Sequence, residues 1–498
     1  MGLMVLALWL VTSVSSCKAA PSPSPSSSPP FCSAVSSDVI SPSPEARSHL
    51  LIAGGTVVNA DGEFAADVYI EDGTIKLVRP NIKVPDWVQK IDAAGKYVMP
   101  GGIDPHTHLA MPFMGTESCD DFYSGQAAAL AGGTTFHIDY VLGATPAAGV
   151  DLLRILEEYE GKARGNAVMD YGFHMGVTRW SEAVARDMEE VVRRGINSFK
   201  FFMAYKGALQ VDDQQLLDGF TRCKHLGAIP QVHAENGDAV VWGQQHIFDL
   251  GITGPEGHPL SRPPEVRLVT VEAPQSTGPA GHPLSRPPEV EEEATGRAIR
   301  LANVVGVPLY VVHVMSAGAA REVVEARRRG QRVVGEPVVS GIALNDSHLW
   351  SPDFKHAAQF VMSPPIRSAE HVAAVKAALA TGTLQLVATD HCPFNSTQKA
   401  KGRHDFRLIP NGVNGIEERM HITWDVMVNS GLMSPSDYVR ITSTECARIF
   451  NLYPQKGVVA EGSDADVIVL NPKGSTTISA ATHHSRIDTN VYEGWHMQ

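Results

Sequence analysis

His106 and His108, which are two positions apart, are the first side chains in this sequence whose types and spacing indicate a chemical function. They end the segment GGIDPHTH at 101–108, which follows an apolar lead-in at 97–100. In an extended strand, residues two positions apart project from the same face, so both imidazoles can bind one metal ion. The pair alone is a modest signal, because surface histidines are common. A metal site therefore requires further ligands at the ends of later strands.

Four more polar residues stand near the ends of apolar, strand-like runs. They are Lys200, His233, His313 and Asp390. Each one has an ordinary structural interpretation, since a buried histidine can bond a backbone carbonyl and an aspartate can cap a helix. Together with the histidine pair, however, they place six such residues on the strands of one predicted fold. That coincidence favours a metal centre.

Lys200 is the least ordinary of the six, because it lies between Phe199 and Phe201 in an apolar run. Burying a charged lysine is costly. One interpretation is therefore that its methylene stem lies along the apolar surface and its ammonium group reaches solvent. The other is that the neutral amine reacts with CO₂, and the carbamate bridges two metal ions. Two zinc ions about 3.5–4 Å apart could then share a hydroxide nucleophile. The carbamate would complete two ligand sets, namely His106, His108 and Asp390 for one ion, and His233 and His313 for the other.

The central region, 101–452, alternates apolar runs with amphipathic helix-like stretches. Seven runs are predicted as strands, at 134–141, 169–177, 198–205, 229–233, 308–314, 333–339 and 384–389. The run around Val98 brings the number to eight. Regular alternation of strands and helices predicts parallel strands with crossover helices. Eight of them predict a (β/α)₈ TIM barrel, whose chemistry lies at the C-terminal ends of its strands.

The regions that flank the barrel have a different pattern. Residues 49–100 are short apolar runs separated by Asp-Gly turns at 61–62 and 72–73, which are hairpin signals. A matching stretch, GSDADVIVL, lies at 462–470 within the C-terminal region 453–498. We therefore expect a small β-sandwich domain formed from both chain ends.

The first 48 residues resemble a targeting segment rather than part of the fold. Residues 1–20 contain an apolar run that ends in small residues, which predicts a secretory signal peptide, although its start lacks a positive charge. A membrane anchor or an unstructured leader is the alternative, but the run is shorter than the ~20 apolar residues of a span. Residues 21–48 are rich in proline and serine and read as a linker. The leader predicts the secretory pathway, with the cytoplasm as the alternative.

Composition excludes some functions. The 498 residues can bury a large core and more than one domain. The 43% hydrophobic and 19% charged contents are ordinary for a soluble globular protein. A net charge of -13 argues against a nucleic-acid partner, because phosphate binding needs a basic surface. The six cysteines form no CxxC motif, so they are interpreted as scattered thiols.

Several longer motifs carry a family resemblance, which extends from about residue 49 to 494. They are GGIDPHTHLAMPFMGTESCDDF, AGGTTFHIDYVL, SFKFFMAYKG, QVHAENGD, SPPIR, ATDHCPFN and IPNGVNGIEERM. These resemble the dihydropyrimidinase and hydantoinase family of metal-dependent cyclic amidohydrolases. The resemblance implies two Zn²⁺ per subunit bridged by carboxylated Lys200, and hydrolytic opening of small uncharged rings. The implied reaction converts 5,6-dihydrouracil or dihydrothymine to N-carbamoyl-β-alanine or N-carbamoyl-β-aminoisobutyrate in pyrimidine breakdown.

The resemblance also implies roles for individual residues. Tyr205, five residues after Lys200, would polarise the oxyanion of the tetrahedral intermediate. Ser363 and Asn411 would bind the ring amide through their backbones. Asp390 would carry a proton from the nucleophile to the leaving nitrogen. The family further implies a homotetramer.

Neighbouring families differ at identifiable positions. Dihydroorotase-like relatives place an arginine two positions after the His-x-His pair, where this chain has Ala110. An uncharged ring therefore suits the site better, and Met111, Phe113 and Met114 either line the pocket or are ordinary packing residues. The alternatives are a hydantoinase or allantoinase-like enzyme, or an inactive dihydropyrimidinase-related assembly protein. Members of that non-enzymatic branch lack the metal ligands, whereas all six stand in this sequence.

Two features depart from the family pattern. The ten-residue segment GHPLSRPPEV occurs twice, at 257–266 and 281–290, so about 24 residues are inserted or duplicated relative to the family pattern. Because the duplication falls between His233 and His313, we expect it to be accommodated as a loop. The second departure is at the end, since family members continue beyond residue 494. We expect a shortened C-terminal part of the β-domain, which bears on whether the tetramer forms.

Overall fold

A computed structural model describes residues 48–143, 151–249 and 286–497. The predicted signal peptide at 1–20 and the linker up to residue 47 lie outside the described residues. The same holds for the whole first copy of the repeat and for the first half of the second. No helix in the described ranges has the length and apolar character needed to cross a membrane.

Seven parallel strands form the central sheet, and each pairs with the next one along the chain. They are Gly102–Thr107, Thr134–Val141, Asp170–Val177, Ser198–Phe202, Ile229–His233, Leu309–Val311 and Val333–Gly335. All eight residues of Thr134–Val141 are buried, as expected when helices cover the outside of a barrel and side chains fill its interior. The fold is therefore the predicted (β/α)₈ barrel.

The eighth barrel position differs from the prediction, because 384–389 is not a regular strand. The barrel closes there through two isolated bridges, Val338 with Ala388 and Thr107 with His391. The amide of Thr389 donates to the Asp104 carboxylate at 3.2 Å, and its hydroxyl bonds the same carboxylate at 2.6 Å. The Asp104 side chain thus accepts the amide hydrogen bond that the backbone of a neighbouring strand would otherwise accept, so no continuous ladder forms.

The first barrel strand also differs from the prediction, which counted the run around Val98. Tyr97–Pro100 belongs instead to the small β-sheet, where it pairs with Val467–Leu470. The barrel begins at Gly102, after the chain crosses from one sheet to the other at Gly101. A Cβ at Gly101 would lie 2.1 Å from the Thr135 hydroxyl, so only glycine fits this close crossing.

Helices surround the barrel, as the alternation of apolar runs and amphipathic stretches predicts. The longer ones are Phe122–Ala131, Leu152–Ala163, Glu182–Arg193, Asp213–Leu226, Gly237–Asp249, Pro288–Val305, Ala317–Arg328 and Ala369–Ala380. Shorter α-helices are Val339–Ala343, Phe354–Gln359, Ser396–Lys399, Arg419–Thr423, Pro435–Val439 and Glu445–Ile449. Single turns of 3₁₀-helix lie at Asp346–Trp350, Ala400–Gly402 and Phe406–Leu408, and of π-helix at Trp424–Asn429 and Arg440–Thr444.

The small domain is a six-stranded sheet built from both chain ends. Its strands are His49–Asn59, Gly62–Glu71, Thr74–Arg79, Gln89–Asp92, Tyr97–Pro100 and Val467–Leu470. One face of the sheet encloses its own apolar core around Val57, Val68 and Val98. The other face packs on the barrel, where Met99 and Ile468 belong to a cluster with Met420, Trp424 and Tyr438.

The chain after Leu470 differs from the expected continuation of this domain. Thr476–Thr477 pairs only with His496–Met497. The intervening segment packs on the barrel, where Asn490 bonds the side chains of Asn414 and Glu418. Polar contacts to the barrel thus replace further pairing with the small sheet.

A fourth sheet is the short hairpin of Pro112–Phe113 with Thr116–Glu117.

Candidate metal centre

A cleft at the C-terminal end of the barrel contains all the metal-binding, catalytic and substrate-binding residues that the sequence nominated. The six candidate ligands and Tyr205, Ser363 and Asn411 all line it. The cleft is narrow, with an empty volume of about 460 Å³ when its open mouth is included. The barrel therefore brings together residues that are up to about 300 positions apart in the chain.

His106, His108 and Asp390 form a buried group that can hold a metal ion. Nε2 of each histidine lies 3.1 Å from the same Asp390 carboxylate oxygen. Burial alone would raise the pKa of Asp390, but the two histidines hold it well below its usual value. His106 Nε2 contacts this oxygen without forming a well-directed hydrogen bond, and His108 Nδ1 has no hydrogen-bond partner among the described residues. Two buried imidazole nitrogens that converge on one carboxylate oxygen are a suitable donor set for a divalent cation.

Glu336 orients this group, although no sequence motif singled it out. Its carboxylate lies 2.6 Å from His106 Nδ1 and accepts the Tyr310 hydroxyl and the amide of His313. Burial opposes the charged form of His106, yet the Asp390 and Glu336 carboxylates raise its pKa to about 9. The site therefore favours positive charge, which a metal ion would supply in place of a proton. The available signal was a single carboxylate in the apolar run 333–339.

His233 and His313 form the second half of the cleft. His233 Nδ1 lies 2.8 Å from His313 Nε2, and His233 Nε2 lies 2.7 Å from the Glu235 carboxylate. Burial lowers the pKa of both histidines, so both are neutral near pH 7. When Nε2–H of His233 donates to the Glu235 carboxylate, the Nδ1 lone pair of His233 is directed at His313. Two neutral imidazole nitrogens this close fit a second metal ion.

Lys200 lies between the two halves and does not reach solvent, since it is only 1% exposed. The interpretation of a lysine that extends to solvent is therefore wrong. Its Nζ lies 4.5 Å from the centre of the Tyr140 ring. Burial lowers the pKa of Lys200 to about 7, although the carboxylates of Asp390 and Glu336 oppose the shift. A neutral amine is the form that reacts with CO₂, so the environment fits a bridging carbamate.

Tyr205 meets Ser363 and Asn411 at the mouth of the cleft. Burial raises the pKa of the Tyr205 phenol to about 12, opposed by the Arg286 charge and by side-chain hydrogen bonds with Ser363 and Asn411. The phenol therefore keeps its proton at neutral pH and can donate it to an oxyanion. Its ring lies 5.2 Å from that of His233, beside the candidate second metal.

Three of the nominated residues have left-handed backbone conformations that non-glycine residues seldom adopt. Tyr205, His313 and Asp390 have φ values of +66°, +39° and +54°. Such conformations cost about 1–3 kcal/mol each and persist where the surrounding fold imposes them, often at functional sites. They aim three side chains at the cleft, those of Tyr205 and His313 from just beyond regular strands and that of Asp390 from the irregular eighth position.

Lys399 connects the two backbone segments that carry Ser363 and Asn411. It is 2% exposed, and its Nζ donates to the carbonyls of Val361 and Gly412, each at 2.8 Å. Gly412 in turn donates its amide to Val361 at 2.9 Å. Burial lowers the pKa of Lys399 to about 7. This lysine was not predicted from the sequence, because its spacing in FNSTQK carries no distinctive signal.

The three candidate apolar residues fall in two classes. Met111 and Phe113 line the cleft, and the Phe113 ring packs edge-on against Tyr205 at 5.6 Å. Met114 does not line it and is 39% exposed, so its assignment to the pocket is wrong. Ala110 is buried, and its backbone carbonyl accepts a hydrogen bond from Lys162. No charge stands at this position to pair with an anionic ring.

Comparison with known proteins gives strong matches across the described fold. A model of the amidohydrolase family matches residues 97–494. A dihydropyrimidinase of Arabidopsis thaliana is 60% identical over 476 residues, which cover 95% of this chain and 84% of the relative. The crystal structure of dihydropyrimidinase from Brevibacillus agri NCHU1002 matches with a TM-score of 0.83 at 42% identity. D-Hydantoinase from a Bacillus sp. AR9 has a TM-score of 0.82 at 41% identity. Each of these two alignments covers 90% of this chain and 92% of the other.

Proposed function

The chain belongs to the amidohydrolase family, and from this premise we propose that it opens the rings of 5,6-dihydrouracil and 5,6-dihydrothymine. It is a cyclic amide hydrolase of the kind that dihydropyrimidinases represent. The observation that carries the proposal is the convergence of six candidate ligands and three candidate substrate-binding residues on one cleft. Water adds to the ring carbonyl carbon, and the bond from that carbon to the ring nitrogen breaks. The products are N-carbamoyl-β-alanine and N-carbamoyl-β-aminoisobutyrate.

We assign two zinc ions to the cleft. His106, His108 and Asp390 would hold one ion, His233 and His313 the other, and carboxylated Lys200 both. Zinc pairs in such sites lower the pKa of water and polarise carbonyl oxygens. The convergence of His106 and His108 on Asp390, the neutral histidine pair and the lowered pKa of Lys200 support this assignment.

The chain's own residues manage protons and orientation. The Asp390 carboxylate takes a proton from the attacking water and delivers it to the leaving ring nitrogen. The Tyr205 hydroxyl donates a hydrogen bond to the oxygen that becomes negatively charged. The backbones at Ser363 and Asn411 bind the ring amide, and Lys399 holds those two segments together.

The lining of the cleft supports an uncharged ring. Met111 and Phe113 contribute apolar surface, and Ala110 stands where an anion-binding arginine would be needed. Hydantoin, a five-membered cyclic ureide, is the second candidate substrate, supported by the match to the Bacillus D-hydantoinase. An allantoinase-like enzyme and an inactive assembly protein are two further candidates, which the same assays separate.

A substrate panel with metal analysis tests the proposal. The purified full chain is assayed with dihydrouracil, dihydrothymine, hydantoin, allantoin and dihydroorotate, and its zinc content is measured. We expect two zinc ions per chain and the highest kcat/KM with the dihydropyrimidines. Higher kcat/KM with hydantoin or allantoin would reassign the substrate. Full zinc content without turnover of any of these rings would indicate a different ring substrate or a distorted pocket, whereas no zinc at all would favour the assembly protein.

Targeting and assembly are further parts of the proposal. We propose that residues 1–20 are a cleaved secretory signal, which the apolar run supports. N-terminal sequencing of the protein secreted from eukaryotic cells tests this, and an intact Met1 on intracellular protein would contradict it. We also propose a homotetramer, as in the family resemblance. A solution mass close to that of four 53.5 kDa chains, less any cleaved leader, is expected from light scattering.

A further inference from the structure

The second copy of the repeated segment contributes a buried arginine next to the metal cleft, where its guanidinium lies 5.4 Å from the centre of the Tyr205 ring. Arg286, in the SRPPEV part of that copy, is 2% exposed and pairs with the fully buried carboxylate of Glu235. The same Glu235 oxygen, Oε2, lies 2.7 Å from His233 Nε2. Arg286 therefore contacts the group that sets the orientation of a candidate metal ligand.

Glu291, the residue directly after the second copy, contacts the segment that follows His313, the other histidine of the second half of the cleft. Glu291 accepts the backbone amides of Met315 at 2.7 Å and Ser316 at 3.1 Å, two and three positions after His313. Its second oxygen pairs with Arg367 at 2.9 Å, and Arg367 also donates to the Arg286 carbonyl. The short stretch 286–291 thus bridges the segments that carry both histidines.

The two copies of GHPLSRPPEV are identical, but the residues directly after them differ. The second copy continues into Glu291, whereas the first continues into Arg267. A positive charge at that point could not accept the two amides or pair with Arg367. Of the two copies, only the second therefore leads into a residue that can make these contacts.

We propose that Arg286 is a positioning residue that holds Glu235, and through it His233, and that the second copy of the repeat alone performs this role. The inference rests on the proposed function only in taking His233 as a ligand of the second metal ion. Without Arg286, Glu235 would be a buried carboxylate without its cation, which is strongly destabilising. The carboxylate would rotate or take up a proton, and His233 would lose its fixed orientation.

The repeat supplies a matched control within the same chain. R286Q and R262Q make the same substitution in identical ten-residue contexts. Zinc affinity is measured by competition with a chromophoric chelator, and zinc content after dialysis. We expect R286Q to bind one of the two zinc ions about tenfold more weakly, because Glu235, the hydrogen-bond partner of a ligating histidine, loses the residue that holds it in place. R286K, which keeps the charge, should lie between R286Q and the unaltered chain, and R262Q should match the unaltered chain.

Equal zinc affinity in R286Q and the unaltered chain would overturn the proposal, as would the same loss in R262Q. If R286Q does not fold, the double variant E235Q/R286Q removes both buried charges and should give soluble protein. In that variant we again expect weakened binding of one zinc ion, and unaltered binding would overturn the proposal.

A deletion tests whether one copy of the repeat, placed directly before Glu291, is sufficient. Removing residues 257–280 leaves one copy of the repeat directly before Glu291. We expect unchanged zinc affinity and melting temperature, and loss of zinc binding would contradict the assignment of the role to the second copy. Because zinc binding is measured without substrate, these outcomes are independent of the ring assays. If no ring is turned over but R286Q still binds zinc more weakly than R262Q, the proposed function fails and this inference stands.

Discussion

His106 Nδ1 lies 2.6 Å from a carboxylate oxygen of Glu336, a contact between residues 230 positions apart in the chain. Glu336 follows the seventh barrel strand, and His106 lies in the first. Because the same carboxylate also accepts the amide of His313, it joins the two halves of the cleft. The orientation of the candidate ligands therefore depends on a residue that does not itself face the cleft.

Replacing Glu336 tests this contact. E336Q should weaken zinc binding by about 10–100-fold, since loss of a carboxylate that orients a ligating histidine typically has that effect. Zinc content after dialysis against graded free zinc measures the change. E322Q, on an exposed ion pair with Arg300, is the control and should bind zinc like the unaltered chain. Equal affinity in E336Q and E322Q would show that the contact does not orient His106.

The second prediction concerns the role of Lys200 in zinc binding and activity. K200A should lose zinc and activity together, because no other residue in the described cleft could provide the bridging carbamate. We expect kcat/KM to fall by about 1,000-fold or more, which corresponds to roughly 4 kcal/mol of transition-state stabilisation. Zinc analysis and turnover are measured on the same preparation. K206A removes an exposed lysine that pairs with Asp238, and it should retain both properties. Full zinc content in K200A would rule out a bridging Lys200.

Lys399 carries the third prediction, which separates substrate binding from metal binding. K399M removes the donor that holds the Val361 and Gly412 carbonyls, so the segments with Ser363 and Asn411 should shift. We expect KM to rise by about tenfold while zinc content is unchanged, since small misplacements of binding groups are costly. Steady-state kinetics with dihydrouracil measure the effect. K401M, two residues further along and exposed, is the control; a KM for K399M equal to that of K401M would contradict the prediction.

The pH dependence of stability gives a fourth prediction. Burial lowers the pKa of Lys399 to about 7 in the folded protein, whereas an unfolded lysine titrates near 10.4. Between these values the unfolded chain binds more protons, so the contribution of Lys399 to the free energy of unfolding rises with pH. The melting temperature of the unaltered chain relative to K399M should therefore increase from pH 7 to pH 10. A difference that stays constant over this range would show that Lys399 keeps its charge when buried.

Much of the fold and of the site follows from local pattern. The alternation of apolar runs and amphipathic stretches is a property of the chain alone, and it predicts parallel strands with crossover helices. Because parallel strands in a barrel end at the same rim, polar residues near strand ends are brought together whatever the loops between them do. His106, His233 and Asp390 could therefore be assigned to one cleft before any contact was known.

The contacts that hold those residues in place depend on how the barrel closes. Glu336, Arg286 and Lys399 act on partners 230, 51 and 13 positions away in sequence, and no local spacing relates the two members of each pair. The assignment of Tyr97–Pro100 to the small sheet and the irregular eighth position likewise result from competition between distant partners for the same backbone groups. Periodicity along the chain determined which residues meet at the cleft; three-dimensional packing alone decided what orients them, because hydrogen bonds between distant segments form only when the surrounding elements are already in place.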